Sequence, residues 1–429
     1  MLPGEFTAMR SLRGASFPRE DIMPRYSAAA LAAALSIAAC ADQPTAPGAV
    51  APATGLAASR AVEVNPTSGV WRSVITGETG PGAEYAFYVP NNWNQEVVYY
   101  AHGIRLPSDP IDLELGQSFA EFREALGARG YAVAFSSFSE NGFAVKDGAQ
   151  RTHQLRGLFA SEVGKPVRSY LTGSSLGGLI AESVAEQHGS QYDGTLAMCA
   201  PLGGSLSEIN YLADVRNTFD WYYPNVVPGN VMFVPEGTNV AAAVGAAQQA
   251  VILDRFQRLA LMRRIDQTPM EGPFPIGWLT SLSYAIQYDI LALDNLLDHT
   301  HGHPFYDNSA TKYTIGGISL ADLNDRSSGI ARFTATPDAL NYLDKYYQPT
   351  GALTIPTLAL HTNEDPFVPT KMHTTQFLTA VTNAGANDLL LQRKVPGKTF
   401  GHCTFNTSEM TAAFDDLATW VRTGVKPAA

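Results

Sequence analysis

Short, almost wholly apolar runs alternate with longer stretches of three-to-four-residue periodicity over much of the chain. Glu96–Ala101, residues 131–136, residues 167–172 and Gly194–Met198 are compact runs rich in Val, Tyr, Ala and Leu. Their length and weak alternation predict strands buried on both faces. Between them, residues 117–129 (closed by Gly130), residues 148–163 and Leu176–His188 carry helical spacing. Ahead of these, residues 70–76 and 85–89 alternate around Gly80-Pro81-Gly82, which predicts an opening hairpin. Strands and helices in regular succession imply parallel βαβ units with right-handed crossovers.

The rhythm stops after Pro201-Leu202. Residues 203–347 offer helical patterns at 240–265 and 278–299, with aromatic loops between them. It then resumes with a strand at 353–361, a helix at 370–384, a strand at 389–395 and a helix at 408–423. The expected fold class is therefore α/β: a mostly parallel central sheet flanked by helices, with a largely helical cap inserted after the sixth strand. The core is expected to comprise residues 63–202 and 348–429, and the cap residues 203–347.

Composition narrows the function classes. A chain of 429 residues, 45% hydrophobic and 16% charged, suits one large domain carrying an insertion. The formal net charge of -11, with no basic stripe, excludes nucleic acid as the expected partner, because phosphates need clustered Lys and Arg. No phosphate-cradling Gly loop or dinucleotide fingerprint occurs, so no cofactor is expected.

The N-terminus reads as an address. After Met23-Pro24-Arg25-Tyr26, an apolar run from Ala28 to Ala39 ends in small residues before Cys40. A positive segment followed by a short apolar one is a secretory signal, too short to span a bilayer. Residues 1–39 are read as that signal, with residues before Met23 as an upstream extension. Ile37-Ala38-Ala39-Cys40 resembles the bacterial lipobox, which implies lipidation at Cys40 and membrane attachment through that lipid; an ordinary signal cut nearby is the alternative. Residues 40–62, rich in Pro, Ala, Gly and Thr, read as a flexible tether. The expected location is the cell envelope, or the medium.

The candidate chemistry centres on Gly173-Ser174-Ser175-Leu176-Gly177, where a strand passes directly into a helix. A serine on so sharp a turn is held clear of both elements, and Gly173 and Gly177 permit close backbone approach. Ser175 is the candidate nucleophile, with the helix N-terminus aimed at any oxyanion formed on it. A serine hydroxyl needs a base, and the base an orienting acid. Asp365 follows the strand expected to deliver the acid, with Glu364 as its rival. His402 lies in the loop after the last strand and is the candidate base. His361 and His373 sit on a strand and at a helix start, and suit the role less. Leu176 N–H and Ile104 N–H, the latter after His102-Gly103 and with Arg105 close behind, are the expected oxyanion donors. Trp221 and Tyr223 are candidates for a substrate pocket, with burial in the cap core as the alternative. His299, His301 and His303 with Asp294 and Asp298 read as a polar loop rather than a metal site. Cys199 ends the strand beside the elbow strand and Cys403 follows the base. Both are therefore expected at the carboxyl edge of the sheet as a disulfide, with two buried thiols as the alternative.

In order and spacing, His102-Gly103-Ile104, the elbow, Asp365 and Gly401-His402 resemble the α/β-hydrolase superfamily over roughly 70–425, and in particular bacterial secreted esterases and peptidases with a lid. His402-Cys403 is similar to tannase and feruloyl-esterase-like enzymes, in which the following cysteine bonds to one preceding the serine; here Ser174 occupies that preceding position. The resemblance implies a serine hydrolase acting on a small-molecule ester, with Ser175, His402 and Asp365 as its triad. An amidase or peptidase would use the same residues. A non-catalytic surface binding protein would have no need of an intact triad.

Overall fold

A computed structural model describes residues 61–63 and 69–428, apart from 396, 398 and 399. The signal segment, Cys40 and the tether up to residue 60 lie outside the described residues. The chain enters the sheet earlier than its composition suggests. Ala61–Glu63 (β1) pairs antiparallel with Trp71–Glu78 (β2), Ala61 facing Thr76, where a tether to residue 62 was expected. Three residues are too few to show a period-two pattern, and backbone pairing holds them.

Glu84–Pro90 (β3) closes the hairpin on β2, with Ile75 opposite Phe87. Glu96–Ala101 (β4), Ala132–Ser136 (β5), Arg168–Ser174 (β6) and Gly194–Met198 (β7) follow. Thr314–Ile315 (β8) and Ile318–Ser319 (β9) make a small hairpin of their own. Thr357–His361 (β10) and Leu390–Lys394 (β11) complete a nine-stranded sheet in the order β1-β2-β3-β5-β4-β6-β7-β10-β11. The first three pairings are antiparallel, and the rest, from β5–β4 to β10–β11, are parallel. With β1 counted, the cap follows the seventh strand rather than the sixth. Every residue of β4, β5, β7 and β10 is buried, which is why their sequences run apolar without alternation.

Helices Gln117–Ala128 (α1), Val145–Glu162 (α2), Leu176–His188 (α3), Thr374–Asn383 and Thr407–Thr423 cover the sheet. The last of these is bounded by local chemistry. Asn406 accepts the Glu409 N–H, Glu409 returns the bond to the Asn406 N–H, and Gly424 closes the helix at φ 71°. Helix α3 buries nine of its 13 residues, including Glu182. Burial pushes the Glu182 carboxyl well above its usual range; the Glu186 charge adds to this and Thr357 opposes it. The folded state then binds a proton that the unfolded chain gives up near pH 4.3. Stability is thus full below that pH and falls as pH rises towards the folded value. In Glu182→Gln this slope should flatten, by up to about 1.4 kcal/mol per pH unit. Denaturant midpoints of both proteins between pH 4.5 and 8 check it, and parallel profiles would contradict it.

The cap consists of Ser205–Tyr222 (α4), Val240–Leu253 (α5), Gln257–Met262 (α6), Ile276–His299 (α7), Ala321–Asn324 (α8), Pro337–Tyr347 (α9) and the β8–β9 hairpin. The single helix expected over 240–265 is broken at Arg255 and Phe256, both left-handed. Asp254 Oδ2 accepts the Arg258 N–H at 2.8 Å and starts the next helix there. Helix α4 carries no simple amphipathic signal because polar side chains are buried along it. Arg216, fully buried, donates to Asp220 and to Asp289 (2.6 Å), and Asp214 accepts the hydroxyls of Tyr306 and Tyr313. Among the described residues no helix is long and apolar enough to cross a membrane.

Candidate active site

The elbow is built by backbone contact. Ser175 adopts φ 55° and ψ -127°, a conformation that side-chain-bearing residues rarely take, and its N–H donates to Met198 O at 2.9 Å. A Cβ on Gly173 would strike Gly177 O, and one on Gly177 would strike Ala101 O and His102 O. These two positions therefore require glycine for β4, β6 and α3 to approach one another.

Three side chains from distant loops meet at this turn. His402 Nε2 lies 2.9 Å from Ser175 Oγ, and His402 Nδ1 lies 2.9 Å from Asp365 Oδ2 and 3.1 Å from Oδ1. With Nδ1–H donated to Asp365, Nε2 is free to accept the serine proton. Asp365 Oδ1 is itself held by the N–H groups of Phe367 and Val368, each at 2.9 Å. Glu364 contributes only its backbone carbonyl, which accepts Gly401 N–H at 3.0 Å, so Asp365 is the acid that faces the imidazole. His361 is buried with Nε2 unpartnered among the described residues, and burial pushes it down to about 4.

Beside the serine, Leu176 is the first residue of α3, so its N–H has no acceptor inside the helix. Ile104 lies on the same cavity wall as Ser175 and Leu176. Gly103 sits against the elbow, where a Cβ would lie 3.3 Å from Ser174 O. His102 is buried and stacked on Phe138 at 3.8 Å, with Nδ1 2.7 Å from Gly103 O and Nε2 3.2 Å from Ser137 O. Burial pushes it down to about 4, so the ring is neutral and donates to one of the two carbonyls. Arg105 is turned to Asp112 at 3.1 Å.

The serine opens on a cavity of about 60 Å³ beneath the cap. Its wall is apolar: Ile209 and Ala213 of α4, Tyr288 and Leu293 of α7, with Phe143 and Phe367. Phe367 stacks on Tyr288 at 4.3 Å and meets the His402 ring edge-on at 5.1 Å, which shields the imidazole. Two acids also line it. Glu208 Oε2 is 2.6 Å from His373 Nε2, and burial pushes Asp289 up to about 7 against the pull of Arg216.

Trp221 and Tyr223 are not on this wall. Trp221 Nε1 donates to Ser328 O, and the Tyr223 hydroxyl donates to Asp254 at 2.8 Å with its ring stacked on Phe219. The cavity-facing residues of α4 end at Ala213, and eight further residues carry the chain about 12 Å along the helix axis into the cap core. The aromatic side chains on the wall are instead Phe143, Tyr288, Phe305 and Phe367.

Cys199 and Cys403 form a disulfide across 204 positions, tying the end of β7 to the residue after His402. Among the described residues the only side chains close enough to share an ion are Cys199, His402 and Cys403, and the S–S bond removes both thiolates as ligands. His299, at 3.9 Å from Glu140, does not converge with His301 and His303.

One neighbour of the triad carries no sequence signal. Glu271, in the aperiodic stretch between α6 and α7, accepts the Asp365 N–H at 2.9 Å. Burial pushes its carboxyl up, while the bonds from Thr370 and from the Asp365 amide oppose the shift.

No protein-family model matches the chain, and no curated protein matches it. Among solved structures it is similar to the rice cell wall degrading esterase LipA from Xanthomonas oryzae, at 14% identity over 81% of this chain and 88% of that one, with a TM-score of 0.37. Feruloyl esterase B from Aspergillus oryzae is 11% identical over 83% and 82% of the two chains, with a TM-score of 0.46. Pyrococcus horikoshii acylaminoacyl peptidase is 9% identical over 82% of this chain and 41% of that one, with a TM-score of 0.42. The fold stands on the molecule's own topology. Its sheet reverses strand order once, at β5-β4, runs parallel from there, and raises the strained serine turn at the carboxyl ends of its central strands. This chain has the α/β-hydrolase fold.

Proposed function

We propose that the protein is a serine hydrolase that cleaves carboxylic esters through an acyl-enzyme on Ser175. The observation that carries this reading is the unbroken chain Ser175 Oγ–His402 Nε2, His402 Nδ1–Asp365, opening on a small apolar cavity. Ser175 Oγ attacks the ester carbonyl as His402 takes its proton, and Asp365 stabilises the imidazolium that forms. Negative charge on the carbonyl oxygen is received by Leu176 N–H and Ile104 N–H. His402 then returns the proton to the departing alkoxide, and water repeats the sequence to release the acid.

The size of the cavity favours a short acyl group, held by contact with Ile209, Leu293 and Phe367. An alkoxide leaves more readily than an amide nitrogen, so ester turnover tolerates a looser fit. A series of p-nitrophenyl esters from acetate to decanoate should show kcat/KM highest at the short end, with matched anilides slower or inert. An anilide that exceeds its matched ester would move the reading to an amidase.

For location, we propose export and lipidation at Cys40. The Cys199–Cys403 disulfide supports an oxidising compartment. Cys40→Ala should shift the protein from the membrane fraction to the soluble one, and wild-type protein found wholly soluble would count against lipidation.

A further inference from the structure

We infer that the cap supplies a positioning residue to the triad: Glu271 holds the turn that carries Asp365, and through it sets acid and base against Ser175. The inference rests on the serine-hydrolase reading of the site. Glu271 Oε2 accepts the Asp365 N–H at 2.9 Å; its Oε1 accepts the Thr370 N–H at 2.9 Å and the Thr370 hydroxyl at 2.7 Å. These donors stand at the two ends of the turn 365–370. Inside the turn, the Phe367 and Val368 amides hold the Asp365 carboxylate. One carboxylate from the cap therefore closes the turn that aims the catalytic acid.

The same cap segment reaches the base. The acid and base loops are bonded to each other, Gly401 N–H to Glu364 O at 3.0 Å and the Thr362 hydroxyl to Gly401 O at 2.7 Å. Gly272, next to Glu271 and at φ 102°, is pressed on Phe400, whose ring a Cβ there would strike. A displacement of residues 271–272 is thus transmitted to Asp365 directly and to His402 through its loop. Opening the cap at this end would release the acid turn, so catalysis requires this end to stay closed.

The position calls for an ionised carboxylate. Three donors converge on two oxygens, and only a carboxylate accepts at both without presenting a donor of its own. Glutamine would aim an amide N–H₂ at one set of donors. Aspartate is shorter by a methylene and cannot span both ends of the turn. Glu271 is not part of the cavity wall, so its effect should fall on kcat and not on KM.

The test compares full-length wild type with Glu271→Gln, Glu271→Ala and Thr370→Val. It measures thermal midpoints, kcat and KM on a p-nitrophenyl short-chain ester, and amide hydrogen exchange in peptides covering 365–370. In the Glu271 variants, kcat should fall about 10- to 100-fold with KM within about threefold, because small misplacements of a catalytic group cost this much. Exchange in 365–370 should accelerate while the central strands stay protected. Thr370→Val, which loses only the hydroxyl bond, should show a smaller drop in kcat, and with Glu271→Gln it decides the matter if Glu271→Ala does not fold. Folded Glu271 variants that retain kcat within twofold would overturn the inference. If wild type shows no Ser175-dependent turnover, the reaction reading fails separately. Exchange alone then decides, and unchanged rates at 365–370 in the Glu271 variants would refute the clamp.

Discussion

Ser175→Ala is expected to lower kcat by about 10⁶-fold, since nucleophile and base act as a unit and losing one removes nearly all that the triad provides. The fold should survive the change. Ser175 Oγ makes one described side-chain hydrogen bond, to His402, and alanine keeps the same Cβ in the strained elbow that serine already occupies. Thermal unfolding should therefore match wild type to within about 0.5 kcal/mol, the usual range for a change that neither opens a cavity nor strands a buried group. Activity on a short ester, together with mass spectrometry after an organophosphonate, checks both halves. A phosphonate adduct on another serine, or substantial turnover by the alanine protein, would remove Ser175 from the mechanism.

The second large effect is expected from Asp365→Asn, a drop of about 10⁴-fold in kcat with little change in fold. The reason lies in how the carboxylate is held. Oδ1 accepts the Phe367 and Val368 N–H groups, so asparagine must place its carbonyl there and its amide nitrogen at the Oδ2 position. That nitrogen then faces His402 Nδ1, which sits 2.9 Å from Oδ2 in the wild type. Two donors cannot share one contact, so the imidazole must carry its proton on Nε2 and accept at Nδ1. In that tautomer Nε2 has no lone pair for the Ser175 proton. Stopped-flow acylation with a p-nitrophenyl ester should show the burst phase slowed with the same severity as turnover. Near-normal acylation would mean that Asp365 does not set the tautomer.

Local chemistry was legible where short-range pattern and function coincide. The alternation of strands and helices, the elbow at Ser175, Asp365 after β10 and His402 after β11 all lie at element boundaries that apolar runs and glycines mark directly. Helix α3, after Ser175, was readable end to end, because it starts at the glycine-rich turn and stops before Gly189, with a stretch between that the core largely buries. Helix α4 was not. Its sequence mixes Glu208, Asp214, Arg216 and Asp220 with apolar residues, and apart from the Arg216–Asp220 pair those charges find their partners far away in the chain, Asp289, Tyr306 and His373 among them. Periodicity sees one strand or helix at a time, so a helix whose polar face is buried against the rest of a cap looks like a loop.

The pocket shows the same division. Trp221 and Tyr223 were attractive by residue type, but neither lines the cavity: Tyr223 is buried in the cap and Trp221 lies half-exposed beside it, while Phe143, Tyr288, Phe305 and Phe367 stand on the wall. The sequence by itself determined which residue types stand at the turn, the acid loop and the base loop, because each is dictated by its own neighbours. Only the tertiary structure decided that Asp365 rather than Glu364 faces His402, that the two cysteines are bonded, and that Glu271 from the cap reaches the acid turn. Those contacts join positions 37 to 204 residues apart, and their geometry is set by how distant loops pack together at one edge of the sheet, which no local stretch of chain encodes.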